Sequence, residues 1–126
     1  YRLCFIPYKV SGESMMPTLN DKQIGLAIRT GFVDLERFSI VVVRQNDRYI
    51  IKRIIGLPGE TIEYSGNKLY VNGQEMEDPY NSFTAYIKIT LKEDEYFCLG
   101  DNREHSSDSR VYGTFHLSDI VGVRIF

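Results

Sequence analysis

The sequence predicts a β-rich fold built from several antiparallel strands, on three observations. Runs of β-branched and aromatic residues recur along the chain, and Gly-, Asn- and Pro-containing turns separate them. No segment carries a long apolar stripe at helical spacing. The chain has 126 residues, 43% of them hydrophobic, which is enough for one domain with its own core.

Taken in order, Tyr1–Tyr8 (YRLCFIPY) is apolar and aromatic. It reads either as a first buried strand or as a surface that leads to, or rests on, a membrane. Met15–Leu19 is expected to open one helical turn, with Pro17 early in it. Strands are predicted at Phe38–Arg44, Arg48–Ile55, Glu60–Tyr64, Lys68–Met76, Glu95–Leu99 and Ile120–Phe126. Asn72-Gly73 is a strong hairpin signal inside the fourth of these, and Ser65-Gly66-Asn67 is a further one. Asp78–Tyr86 reads as a loop, and no internal repeat or low-complexity segment occurs.

Composition narrows the function classes. Fifteen basic and seventeen acidic residues give a net charge of −2, with no clustered basic excess of the kind nucleic-acid binding requires. No run of about 18 apolar residues is present to cross a membrane as a helix. Cys4 and Cys98 show neither metal spacing nor a CxxC, and each lies in an apolar run, so two buried thiols are expected. With only His105 and His116 besides, neither a metal site nor any other cofactor is called for.

Three polar clusters stand out from ordinary strand and turn. The first is Ser11-Gly12-Glu13-Ser14-Met15. A serine just past a strand end can present a nucleophilic hydroxyl if a base takes its proton, or it can simply cap a helical turn. The second is Lys52 within YIIKRII. Strand alternation puts Ile50, Lys52 and Ile54 on one face and Ile51, Arg53 and Ile55 on the other. A lysine among isoleucines has its charged form disfavoured and can serve as a general base near neutral pH. An edge-strand lysine that snorkels to water is the plain alternative. The third is Gly100–Arg110, GDNREHSSDSR. A solvated loop can have this composition, but the alternating charges of Asp101, Arg103, Asp108 and Arg110 also suit a fixed network that orients a neighbouring site.

Together and in this order, SGESMMPTL, YIIKRIIGLPGE and GDNREHSSDSR resemble the sequence boxes of the type I signal peptidases. FSIVVVR is similar to the family's central strand box, with Phe38-Ser39 where Gly-Asp is usual, and IVGVRIF fits the closing strand. The resemblance implies a mostly β catalytic domain of coiled antiparallel sheets with few short helical turns, spanning 1–126. Residues 1–8 would be a membrane-proximal strand, and an N-terminal membrane anchor would lie outside this chain. Residues 77–94 leave no room for the large extra domain of some members, so the compact, Gram-positive-like form is expected.

Residue by residue, the resemblance implies Ser14 as nucleophile and Lys52 as general base, with Ser106 hydrogen-bonded to the base amine. It implies Asp108 and Arg110 as a supporting ion pair, and Asp101 as a partner of Arg53. The Ser14 N–H would be one oxyanion donor. The usual second donor position is Gly12 here, which leaves Ser11, another backbone group or water to supply it. Val10, Met15, Leu19, Ile50 and Ile51 are candidate walls for shallow pockets that take small residues. The implied partners are preprotein signal peptides, bound extended, and the lipid surface of the cell membrane. The domain would work on the extracytoplasmic face.

Other readings remain at this level. His105 with Asp101 or Asp108 would supply a Ser-His-Asp arrangement on Ser14. A non-catalytic relative that binds exported or pilin-like proteins would lack the serine or the lysine. A self-cleaving repressor also uses Ser and Lys, but no helix-turn-helix segment is evident.

Overall fold

The computed structural model describes residues 4–81 and 85–126. Among these described residues, eleven strands and one short α-helix follow in order: β1 (Phe5–Lys9), β2 (Ile24–Arg29), β3 (Ile40–Gln45), β4 (Arg48–Gly56), β5 (Thr61–Ser65), β6 (Lys68–Val71), β7 (Gln74–Met76), β8 (Ile87–Thr90), β9 (Glu95–Leu99), α1 (Ser109–Tyr112), β10 (Phe115–His116) and β11 (Ile120–Arg124). They form a seven-stranded sheet in the order β1-β2-β11-β3-β4-β9-β10 and a four-stranded sheet in the order β7-β6-β5-β8. All pairings are antiparallel. No helix among the described residues is long and apolar enough to cross a membrane.

The predicted strands form, with shifted ends. β3 begins at Ile40 rather than Phe38, because Phe38 takes a positive φ of 70° and leaves the ladder. Lys68–Met76 is a hairpin, β6 and β7, turning at Asn72 and Gly73 with φ of 51° and 84°. Positive φ at both positions matches the twist of the flanking strands. β2, β8 and β10 were not expected. β2 runs through Gly25, where a side chain would collide with the Tyr8 ring and the Phe126 carbonyl, so a strand at close approach reads as a turn in the sequence. Ser14–Thr18 is a run of turns, not the expected helical turn; Met16 N–H donates to Glu13 O and Leu19 N–H to Met15 O. Of the loop expected at Asp78–Tyr86, residues 82–84 lie outside the described residues, as do 1–3 of the first strand. Cys98 is fully buried, whereas Cys4 is only half-buried.

Three apolar clusters hold the molecule. Ile55, Ile62, Tyr64, Leu69, Leu91 and Phe97 join the two sheets. Val41, Val43, Ile54, Cys98 and Phe115 pack on one face of β3 and β4. Tyr8, Val10, Met15, Leu19, Ala27 and Val42 fill the third cluster, beneath the loop between β1 and β2. Successive residues of β4 thus serve different cores, Ile54 the second and Ile55 the first, as the period of two requires. This strand, paired with β3 on one side and with β9 from Arg53 onward on the other, is the platform for the site.

Candidate active site

Lys52 sits in the middle of β4, in register with Val41 of β3, and is 4% exposed. Burial disfavours its cation and is the main reason its pKa falls from 10.5 to about 8. Asp108 works against the fall, while Arg48 and Arg110 add to it. The Lys52 ammonium donates to Ser14 Oγ at 2.7 Å. Once neutral, the same amine can accept the serine proton along that line.

Ser14 lies in the loop joining β1 to β2. The loop is closed at its base by Val10 N–H to Gln23 O (2.8 Å) and Lys22 N–H to Val10 O (2.7 Å). Met15, 1% exposed, plugs into the core and fixes the backbone next to the serine. From the other side, Asn102 N–H donates to Ser14 O at 2.8 Å and Asn102 Nδ2 to Glu13 O at 3.0 Å. Gly100 lets these segments close up. A Cβ there would collide with Ser106 Oγ and stand 2.6 Å from Ser14 O.

Three buried ion pairs fix the frame. Arg53 points to the opposite face from Lys52 and makes a two-pronged contact with Asp101, Nε to Oδ1 at 2.8 Å and Nη2 to Oδ2 at 2.7 Å. Asp101 also accepts from Thr18 Oγ1 at 2.6 Å, so one carboxylate ties β4 to the serine loop. The Tyr80 ring lies 5.1 Å from the Arg53 guanidinium. Arg103 pairs with Asp78, Nη1 to Oδ2 at 2.6 Å, not with an acid of its own cluster as the alternating charges suggested. Asp108 is fully buried and accepts from Gly100 N–H, Ser106 Oγ and Arg110 Nε. Burial opposes its charge, but the Arg110 guanidinium and these hydrogen bonds hold its carboxyl below the ordinary value.

A cleft of about 470 Å³ opens over Ser14 and Lys52. Val10, Met15, Ile50 and Ile51 line it, as does Ser11, which is exposed at its rim. Leu19 does not. It is 0% exposed in the core beneath the loop, because the turn at Met15–Leu19 folds it inward. Ser106 is also placed differently from expectation: its hydroxyl donates to Asp108 Oδ2 at 2.9 Å and makes no hydrogen bond to Lys52. His105 lines the cleft, yet the hydrogen bond to Ser14 Oγ comes from Lys52. Gly12 N–H is engaged by Asp21 Oδ1 at 2.8 Å, whereas Ser14 N–H has no acceptor among the described residues. Asn102, Thr18, Tyr80 and Asp78 escaped the sequence reading, since their partners lie far along the chain.

A hydroxyl held against a buried amine can be deprotonated by it and attack a carbonyl, so the chemistry open here is that of a serine hydrolase with a lysine base. The comparisons with known proteins agree with that class. The chain belongs to the signal peptidase family, peptidase S26, whose model matches residues 2–126. It is 36% identical to signal peptidase I of Bacillus amyloliquefaciens, over 97% of this chain and 75% of the relative. It is 38% identical to signal peptidase I V of Bacillus subtilis, over 94% and 83%. The crystal structure of a signal peptidase I from Enterococcus faecalis superposes with a TM-score of 0.67 at 33% identity, covering 72% of this chain and 97% of that one. The protein is thus a serine endopeptidase by family.

Proposed function

We propose that this chain removes N-terminal signal peptides from exported preproteins through a Ser14/Lys52 dyad, and that 1–126 form a single catalytic domain. The observation that carries the reading is the 2.7 Å contact between Lys52 Nζ and Ser14 Oγ at a buried strand position. Neutral Lys52 takes the Ser14 proton while Oγ bonds to the scissile carbonyl carbon. The lysine then protonates the leaving amine as the C–N bond breaks, leaving an acyl-enzyme. Neutral again, it takes a proton from the water that releases the acyl group. Ser14 N–H serves as one oxyanion donor, and Ser11 Oγ as the second, since Gly12 N–H is engaged by Asp21. Asp101–Arg53 and Asp108–Arg110, with Ser106 on Asp108, hold the dyad in place.

The substrate binds extended. β9 pairs with β4 only from Arg53 onward, so Arg48–Lys52 present an unpaired strand edge to the cleft. Val10, Ile50 and Ile51 wall the sites for small side chains at the first and third positions before the cut. Exposed Phe5, Ile24, Ile125 and Phe126, on β1, β2 and the C-terminal residues paired with β2, support a resting surface on the cell membrane at its extracytoplasmic face. An accessory factor without catalysis would have no use for a buried lysine aimed at a serine. A His105 base is disfavoured because Ser14 Oγ is bonded to Lys52.

The test is product mapping. The chain in detergent is incubated with a peptide carrying an Ala-x-Ala site, and fragments are weighed by mass spectrometry. Cleavage after the second alanine is expected. Binding without cleavage would favour the accessory reading.

A further inference from the structure

Ser14 N–H, the oxyanion donor named above, belongs to the same peptide unit as Glu13 O. That unit is trans, so its N–H and C=O point in opposite directions. Whatever grips the oxygen therefore aims the hydrogen. Two donors grip it, Met16 N–H at 3.1 Å and Asn102 Nδ2 at 3.0 Å. Glu13 and Ser14 line the cleft, whereas Asn102 does not. The carbonyl held by Asn102 thus points out of the cleft, and the N–H at the other end of the unit points into it.

Asn102 also holds the next carbonyl, since its backbone N–H donates to Ser14 O at 2.8 Å. One residue so fixes the peptide units on both sides of the Ser14 Cα. Its own backbone is well anchored. Its carbonyl accepts from His105 N–H at 2.8 Å, and its neighbours Asp101 and Arg103 are buried in ion pairs with Arg53 and Asp78. A carbonyl that accepts hydrogen bonds also polarises its own peptide unit, which strengthens the N–H as a donor.

We propose that Asn102 is a positioning residue for the oxyanion hole: its side-chain amide, acting through Glu13 O, aims and polarises Ser14 N–H toward the oxyanion that forms during attack. The inference rests on the peptidase reading above.

Asn102→Leu and Asn102→Ala test it on an Ala-x-Ala peptide. Both remove the amide donor and keep the backbone N–H, and leucine keeps most of the volume. Loss of an oxyanion donor costs about 10²–10³ in rate, and here the donor stays while its aim loosens, with Met16 N–H still on the carbonyl. So kcat should fall by about 10- to 50-fold in both variants, with KM within about twofold. The decisive readout is a pair of inhibitors. With a peptide aldehyde ending at the same alanine, Ser14 Oγ bonds to the aldehyde carbon, Lys52 takes the serine proton, and the aldehyde oxygen becomes an oxyanion on Ser14 N–H. The matching peptide alcohol has no carbonyl to attack. Aldehyde affinity should fall by the same factor as kcat, while alcohol affinity and the acid limb of the pH–rate profile stay in place. Unchanged kcat and aldehyde affinity in both variants overturns the proposal, as does equal weakening of aldehyde and alcohol. Activity lost in Asn102→Ala but restored in Asn102→Leu also overturns it, by making volume rather than the donor the cause. A wild type that cleaves no Ala-x-Ala peptide would refute the peptidase reading itself, a separate outcome.

Discussion

Lys52→Met is expected to lower kcat/KM by about 10⁴-fold or more and, at the same time, to make the protein more stable at pH 7. The two effects have one cause. Folding takes the Lys52 ammonium out of water, and its pKa falls from 10.5 to about 8. Between those values the unfolded chain binds more protons than the folded one, so stability rises with pH across that window. Below pH 8 the full penalty stands, on the order of 3 kcal/mol. Methionine keeps the stem's packing and removes the charge, so Tm should rise by several degrees at pH 7. The gain over wild type should shrink as pH climbs from 8 to 10.5. Ser14→Ala should lose comparable activity without any such gain. A Lys52→Met protein that melts at or below the wild-type temperature would contradict the buried-amine account.

Asp108→Asn should have the largest effect on folding. The carboxylate is 0% exposed and accepts from Gly100 N–H, Ser106 Oγ and two groups of the Arg110 guanidinium. A neutral amide removes the Asp108 charge from its pair with Arg110, and an amide nitrogen in place of one oxygen meets donors. Breaking a buried pair in this way costs about 3–5 kcal/mol, measurable by urea unfolding. The same change removes the anion that supports the Lys52 cation. The acid limb of the pH–rate profile should therefore move to lower pH. A loss of stability with no movement of that limb would leave Asp108 a scaffold residue only.

Much of this was legible because the signals are local. Alternation along β4 separates Lys52 from Arg53, and the structure gives each its own partner, Ser14 and Asp101. Asn72-Gly73 and Ser65-Gly66-Asn67 fixed two hairpins by backbone chemistry alone. What failed is what depends on long-range closure. Leu19 follows the serine loop in sequence but is turned into the core. Arg103 finds Asp78, 25 positions away, in a segment that read as plain loop. Ser106 bonds Asp108 rather than the lysine, a choice set by the turn at Arg103–His105 and the cap of α1. β2 was hidden by Gly25, whose purpose is the ring of Tyr8 packed against it. No composition signal reports such contacts.

The most direct test of the dyad is the pH dependence of kcat/KM on an Ala-x-Ala peptide, measured from pH 5 to 10. If Lys52 must be neutral to take the Ser14 proton, activity rises tenfold per pH unit and levels above an apparent pKa near 8. A plateau already reached near pH 6.5, lost in His105→Ala and kept in Lys52→Ala, would give the base role to the histidine and contradict the account.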